Sequence, residues 1–483
     1  MQFLSIQRLL GVLLALFSTT MIPPMVVSWY YEDGSLLAFL SALLFILCSG
    51  LALWLPARHV RRDLRVRDGF IVVVMFWTAL GLSGSLPLML ADRPHMPPAD
   101  AVFESISGLT TTGATVITGI DGLPKAVLFY RQLLQWLGGM GIIVLAVAVL
   151  PMLGIGGMQL YRAETPGPLK DNKLTPRITE TAKALWYIYL GLTVLCTLGY
   201  LLAGMDLFDA ISHSFSTVAI GGFSTHDESL GYFDSPLVEM VAVVFMFLAG
   251  INFALHFMVW RARQWSIYLQ DSEFRFYTVL LMLVTVITSV SLFTTATFEN
   301  PLDALRYGLF QTVSIATTTG FTTHGYYIWP GFLPVLLLFA SFVGGCAGSV
   351  GGGLKVIRVL LLLKQGGREI MRLIHPNAEI TIKVGGTFMP YRVMDAVWGF
   401  FAAYVGTFCV LMLGLMATGL DQITAFSAVA ACMNNLGPGL GDVGAHYGEI
   451  SDSAKWLLCA AMLLGRLEVF TVLVILSPAF WRS

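Results

Sequence analysis

The sequence predicts an all-α polytopic membrane protein. Four pseudo-repeated span–pore-loop–span units surround one central pore and follow an N-terminal two-helix pair, with ten spans and both termini cytoplasmic. Three observations carry that prediction. Of 483 residues, 56% are apolar and only 12% charged, about half the charge of a soluble protein. Ten apolar stretches each reach the roughly 20 residues of helix needed to cross a ~30 Å hydrocarbon layer. Four weakly charged segments between spans share one pattern, a short helix leading into a glycine-centred turn. A soluble chain of this length would need about three domains, each with a polar skin, and 28 Lys+Arg with 29 Asp+Glu cannot supply them. The net charge of −1 contains no block of one sign, so no nucleic-acid partner is expected. The six cysteines form no CxxC pair and read as small buried apolar residues.

Taken in order, the spans lie near 9–29, 35–55, 69–91, 126–153, 184–204, 236–260, 276–295, 329–363, 393–417 and 454–481. The first is too long for a signal-peptide core, lacks a small-x-small cleavage site and runs straight on to a second span. The two-helix extension occupies 1–60. The units follow at 61–160, 161–270, 271–385 and 386–483, the third with a broken second helix. With the N-terminus inside, 22 of 28 Lys and Arg fall in cytoplasmic segments, as the positive-inside rule requires. Arg93, Lys125, Arg131, Arg306 and Lys455 lie on or near the outside, and Arg466 stands within the last span.

The outer segments begin at Asp100, Asp209, Asp303 and Asp421, each acidic residue placed to suit a helix N-terminus. They return outward through Thr110-Thr111-Thr112-Gly113, Ala219-Ile220-Gly221-Gly222, Thr317-Thr318-Thr319-Gly320 and Asn434-Asn435-Leu436-Gly437. Recurrence near every hundred residues marks a repeated supersecondary unit. Irregular backbone at membrane depth survives only when buried in protein or lining a watery cavity. Four such loops around one axis would present rings of carbonyl oxygens, which can replace the hydration shell of a monovalent cation. Glycine at the last position permits φ > 0. The loops hold no acidic ring for divalent cations and no basic ring for anions. Small residues in membrane helices also serve helix packing, the ordinary reading of any one TTTG, but four equivalent loops exceed it.

In these residues the chain resembles the membrane subunits of Trk-type bacterial potassium uptake systems (TrkH/TrkG), within the Trk/Ktr/HKT superfamily. The likeness covers the whole chain, including the extra N-terminal pair. It implies K+ coordination by carbonyls at positions matching Thr111, Thr112, Ile220, Gly221, Thr318, Thr319, Asn435 and Leu436, beside the filter glycines Gly113, Gly222, Gly320 and Gly437. It also implies K+ as the transported ion, with Rb+ as a further and Na+ as a weaker one, and no organic cofactor. A TrkA-like cytosolic nucleotide-binding subunit as regulator, a homodimer with one pore per chain, and a multi-pass location in the bacterial inner membrane complete what it implies. No Ser stands at the first filter position, and Ser there accompanies Na+ transport in some relatives.

Within the eighth span, the run Gly344-Gly345-Cys346-Ala347-Gly348-Ser349-Val350-Gly351-Gly352-Gly353 interrupts a stretch of 35 residues. As one helix it would measure about 52 Å. A nucleotide-binding reading of the run is weak, because no strand precedes it and no GxxxxGK[ST] occurs. A flexible break for close packing is one reading. The resemblance implies instead a gate below the filter, formed by Gly345, Gly348, Ser349, Gly351, Gly352 and Gly353. Arg466 completes it, because an arginine at that depth must face protein or water and a fixed positive charge in the pore obstructs cations. A structural pair of Arg466 with Glu468 or with another repeat's polar group is the alternative. His226, His324 and His446 follow filter glycines and read as solvated loop residues, with pH sensing the alternative. Segments 154–183 and 364–392 are candidate docking surfaces for the regulator.

Two other functions compete. An alternating-access symporter would show two halves with paired broken helices, whereas this chain shows four quarter-units. An intramembrane enzyme lacks support, because neither HExxH nor GxSxG occurs.

Overall fold

A computed structural model describes residues 2–60, 66–141 and 178–482. It is helical almost throughout, and its described residues include one short antiparallel pair, Lys383–Val384 against Thr387–Phe388. The N-terminal crossing Phe3–Tyr31 runs through a tight turn at Thr19–Met21, and Leu36–Ala57 returns beside it. A Cβ on Gly11 would stand 2.7 Å from the Gly50 carbonyl oxygen and the Trp54 nitrogen, so glycine sets how closely these two helices approach.

Among the described residues, six helices are long and apolar enough to cross a membrane, or up to eight if each of two bent pairs is one crossing. The sequence predicts ten, and the difference lies in the stretches 126–153, 236–260, 329–363 and 454–481. The stretch 236–260 is two helices, Pro236–Ala249 and Phe253–Ala262, meeting at 93°. The stretch 454–481 is likewise Asp452–Arg466 and Phe470–Leu476, meeting at 113°. The expected break in 329–363 is present: Leu333–Val343 and Val356–Ile374 flank non-helical residues 344–355. The stretch 126–153 begins as Lys125–Trp136 and widens into a π turn at Leu137–Gly141; its remainder lies outside the described residues. Most of loop 154–183 lies there too, with Arg61, Arg62, Arg65, Arg162, Lys170, Lys173 and Arg177.

Hydropathy measures apolar length and is blind to such breaks. The first helix ends at Ala249, and Asn252 caps the next by accepting from the Ala254 amide (2.9 Å). At the other bend, Glu468 and Val469 are left-handed at φ +54° and +38°.

Four short helices, Pro98–Leu109, Leu207–Val218, Pro301–Ala316 and Gln422–Met433, are buried along most of their length. Their starts follow ordinary capping chemistry. Asp206, Asn300 and Asp421 accept from the amides of Asp209 (2.8 Å), Leu302 (3.1 Å) and Ile423 (2.9 Å). Asp421 is therefore a cap, whereas Asp100, Asp209 and Asp303 sit in the first turn, where a carboxylate still favours the helix dipole. Cys196, Cys346, Cys432 and Cys459 are buried, while Cys48 and Cys409 are exposed.

Candidate ion pathway

All four short helices end in the same way. The Thr111 amide donates to the Gly108 carbonyl (3.0 Å) and the Thr112 amide to Ser107 (2.8 Å). The same two bonds recur from Ile220 to Thr217 (3.1 Å) and Gly221 to Ser216 (2.8 Å). They recur again from Thr318 to Ile315 (3.0 Å) and Thr319 to Ser314 (2.8 Å), and from Asn435 to Cys432 (3.2 Å) and Leu436 to Ala431 (2.7 Å). This is the Schellman helix end, whose turning residue is left-handed and usually glycine. Here it is Thr111, Ile220, Thr318 or Asn435, with φ from +52° to +67°. The glycines two positions on, Gly113, Gly222, Gly320 and Gly437, are left-handed as well, with φ from +77° to +99°.

A non-glycine residue in this region costs about 1–2 kcal/mol, so something must hold each one. The Thr111 hydroxyl accepts from Arg466 Nη1 (3.2 Å), and the Thr318 hydroxyl accepts from the Gly352 amide (2.7 Å). Asn435 Nδ2 donates to the Thr112 hydroxyl and the Met462 carbonyl, both at 3.0 Å. Ile220 is buried in an apolar cluster with Val218 and Val350.

The four turns meet in a closed ring. A Cβ on Gly113 would collide with the Gly221 carbonyl oxygen, one on Gly222 with Thr319, one on Gly320 with Leu436, and one on Gly437 with Thr112. Each turn thus abuts a neighbour, and the fourth closes on the first. All twelve residues expected from the sequence as filter carbonyls and glycines lie in these four turns.

The glycine-rich segment 344–355 lies directly against the ring. Besides Gly352 to Thr318, the Gly353 amide donates to the Asn434 carbonyl (3.1 Å), and a Cβ on Gly352 would strike that same oxygen. Cys346 donates to the Gly250 carbonyl (2.9 Å), and Phe253 donates to Gly348 (3.1 Å), tying the segment to the bend of the second unit. Glu273 Oε1 joins the segment to the start of the next helix, accepting from the amides of Ala347 (2.7 Å) and Ile357 (3.1 Å). Arg466 is the last residue of its helix. Its guanidinium donates to Thr111 (3.2 Å), to the Val350 carbonyl (3.2 Å) and to the Gly138 and Gly139 carbonyls (2.5 and 2.7 Å). One side chain therefore joins the first turn, the glycine segment and the π turn. Glu468 forms an ion pair with Arg358 (2.5 Å).

Beyond the four turns two clusters were not legible in the sequence. Arg131, placed near the outside by its position, is buried in an ion pair with Glu104 (2.7 Å) and donates to the Ser224 carbonyl (3.0 Å). Glu104 also accepts from the Val116 amide (3.0 Å), so the pair locks together the segments leaving the first and second turns. His226, expected in solvent, is instead buried between Asp121 (2.5 Å) and Asp209 (3.1 Å), stacked on Tyr232 and near His213. His324 is exposed and His446 half-buried.

Burial alone would pull the His226 pKa down, but its bonds to the two carboxylates outweigh that and raise it. A raised folded-state value means stability fully present below the ordinary pH of ~6.5 and lost as pH climbs through the folded-state pKa. Amide-exchange protection of Gly119, whose N–H donates to Asp227 (2.9 Å) beside this cluster, is expected to fall over that rise. His226→Asn should remove the pH dependence. A dependence unchanged in the variant would assign it to another group.

The sequence model of the family described as TrkH, cation transport protein, matches residues 35–483. The Trk system potassium uptake protein TrkH of Vibrio parahaemolyticus is 59% identical over 485 residues, covering 100% of each chain. Its Escherichia coli counterpart is 54% identical over 483 residues with the same coverage. The Trk system potassium uptake protein TrkG of Escherichia coli is 43% identical, over 99% of this chain and 98% of that one. Among solved structures, the crystal structure of the potassium transporter TrkH from Vibrio parahaemolyticus superposes with a TM-score of 0.91 at 57% identity, covering 100% of both chains.

Proposed function

The chain belongs to the TrkH family of cation transport proteins, and from that premise we propose that its ring of four turns is the filter through which K+ crosses the membrane. The protein is a multi-pass membrane protein of the bacterial inner membrane, and it transports potassium, the activity for which its relatives are named. The observation that carries the filter is the closed ring at Gly113, Gly222, Gly320 and Gly437. Left-handed residues at the second and fourth positions of each turn let successive carbonyls face one side, where in a strand they would alternate. Carbonyls of Thr111, Thr112, Ile220, Gly221, Thr318, Thr319, Asn435 and Leu436 then surround K+. Each short helix directs the negative end of its dipole toward the same place.

The four units form a pseudo-fourfold repeat, and among the described residues the second helices of the second, third and fourth units are interrupted. An alternating-access symporter would instead pair its breaks across two halves. Segment 344–355 with Arg466 is the gate. The guanidinium places a fixed positive charge on the route, and its bonds hold the glycine segment against the filter. In this reading a TrkA-like nucleotide-binding subunit binds the cytoplasmic end of Val356–Ile374, where Leu373 and Ile374 are exposed, and biases this gate. The working unit is a homodimer with one pore per chain.

Uptake of radioactive Rb+ into proteoliposomes, competed with K+, Na+ and Li+, tests the reading. The expected order of competition places K+ well ahead of Na+ and Li+. No Rb+ uptake, with and without the regulatory subunit, would refute it.

A further inference from the structure

Three of the four filter turns carry their own bracing side chains, and the second does not. In the first and third turns, hydroxyls at the first and third positions bond each other, Thr110 with Thr112 (2.7 Å) and Thr317 with Thr319 (2.8 Å). The first hydroxyl of each pair is tied back to its helix, at Ile106 (2.7 Å) and Val313 (2.7 Å). In the fourth turn, Asn434 bonds Tyr404 (2.5 Å) and Ser341 (3.0 Å). The second turn, Ala219-Ile220-Gly221-Gly222, has no polar side chain to make such a bond.

A side chain from another unit takes that place. Gln135 lies on Lys125–Trp136 and is fully buried. Its Nε2 donates to the Gly221 carbonyl (2.5 Å), and its Oε1 accepts from the Phe223 amide (3.1 Å). The side-chain amide thus pairs with an acceptor and a donor on either side of Gly222, as a neighbouring peptide would. A carbonyl oxygen has two lone pairs, so Gln135 can hold one while the other stays free for the ring.

The same contact explains a glycine that backbone conformation does not. Gly221 has no positive φ, unlike Gly222 at +77°, so a side chain is conformationally allowed there. The three atoms nearest to a Cβ at that position all belong to Gln135, at 2.5, 2.6 and 2.8 Å. Residue 221 is glycine because the Gln135 amide occupies the space that Thr112 and Thr319 fill with their own side chains.

We propose that Gln135 is a positioning residue of the ion filter, its amide fixing the Gly221 carbonyl of a neighbouring unit in place of the hydroxyl pair present in the first and third turns. The proposal rests on the filter reading above. Gln135→Ala is expected to retain Rb+ uptake while K+ over Na+ discrimination falls about tenfold, the factor equivalent to ~1.4 kcal/mol. Gly221→Ala should lower the melting temperature, and adding Gln135→Ala should bring it back by vacating the space. The triple variant Gln135→Ala, Ala219→Thr, Gly221→Thr recreates the hydroxyl pair and should regain discrimination.

Unchanged discrimination in Gln135→Ala overturns the proposal while leaving the filter reading standing. So do additive melting-temperature losses in the double variant, or a triple variant no more selective than the single one. Absence of Rb+ uptake by the unsubstituted protein overturns both.

Discussion

Arg466→Ala is expected to raise K+ flux in the absence of any regulatory partner by about tenfold or more. The estimate follows from the bonds it removes. Arg466 donates to Thr111, Val350, Gly138 and Gly139, and a hydrogen bond from a charged group contributes about 1.5–3 kcal/mol. Losing one such bond shifts a closed-to-open equilibrium by about an order of magnitude. Arg466→Lys separates charge from geometry. Lysine keeps the positive charge but is a single point donor lacking the planar fork, so it cannot join the turn, the glycine segment and the π turn at once. Intermediate leak is expected of it. Flux unchanged in Arg466→Ala, measured in proteoliposomes, would remove the arginine from the gate.

Gly113→Ser should abolish most of the discrimination between K+ and Na+, by about tenfold or more. Two effects act together. Gly113 is left-handed at φ +78°, a conformation that costs a residue with a Cβ about 1–2 kcal/mol. The new Cβ would also be driven into the Gly221 carbonyl oxygen of the adjoining turn, one of the oxygens that would surround the ion. The ring must open or that carbonyl must rotate, and either change loosens the cage that favours K+. The check is the ratio of Rb+ uptake competed by K+ to that competed by Na+. A ratio equal to that of the unsubstituted protein would place the filter elsewhere.

The four turn glycines were legible in the sequence because a glycine recurs at the same place in each of the four segments, after Thr-Thr-Thr in the first and third. The left-handed residues two positions earlier were not. Propensity argues against Ile220 and Thr318 at φ +52° and +67°, and contacts with distant parts of the chain, apolar packing for Ile220 and the Gly352 amide for Thr318, hold them there. Arg466 was legible as a charge in an apolar run, and segment 344–355 as six glycines within ten residues. The bends at 250–252 and 467–469 were hidden by the high average hydropathy of their stretches, although Asn252 was a cap in plain view. Gln135, Glu273 and His226 act through contacts with residues 86, 74 and 105 positions away respectively. No local pattern encodes such partners. Polar residues within or beside apolar spans were the available signal, and they name candidates without naming partners.

The central claim, that these four turns form one K+ filter, is tested most directly by anomalous diffraction from crystals loaded with Rb+. An ion peak is predicted on the axis of the ring, within coordinating distance of carbonyls from all four of the turns ending at Gly113, Gly222, Gly320 and Gly437. Rb+ bound only at other positions, in protein that transports Rb+, would contradict the account.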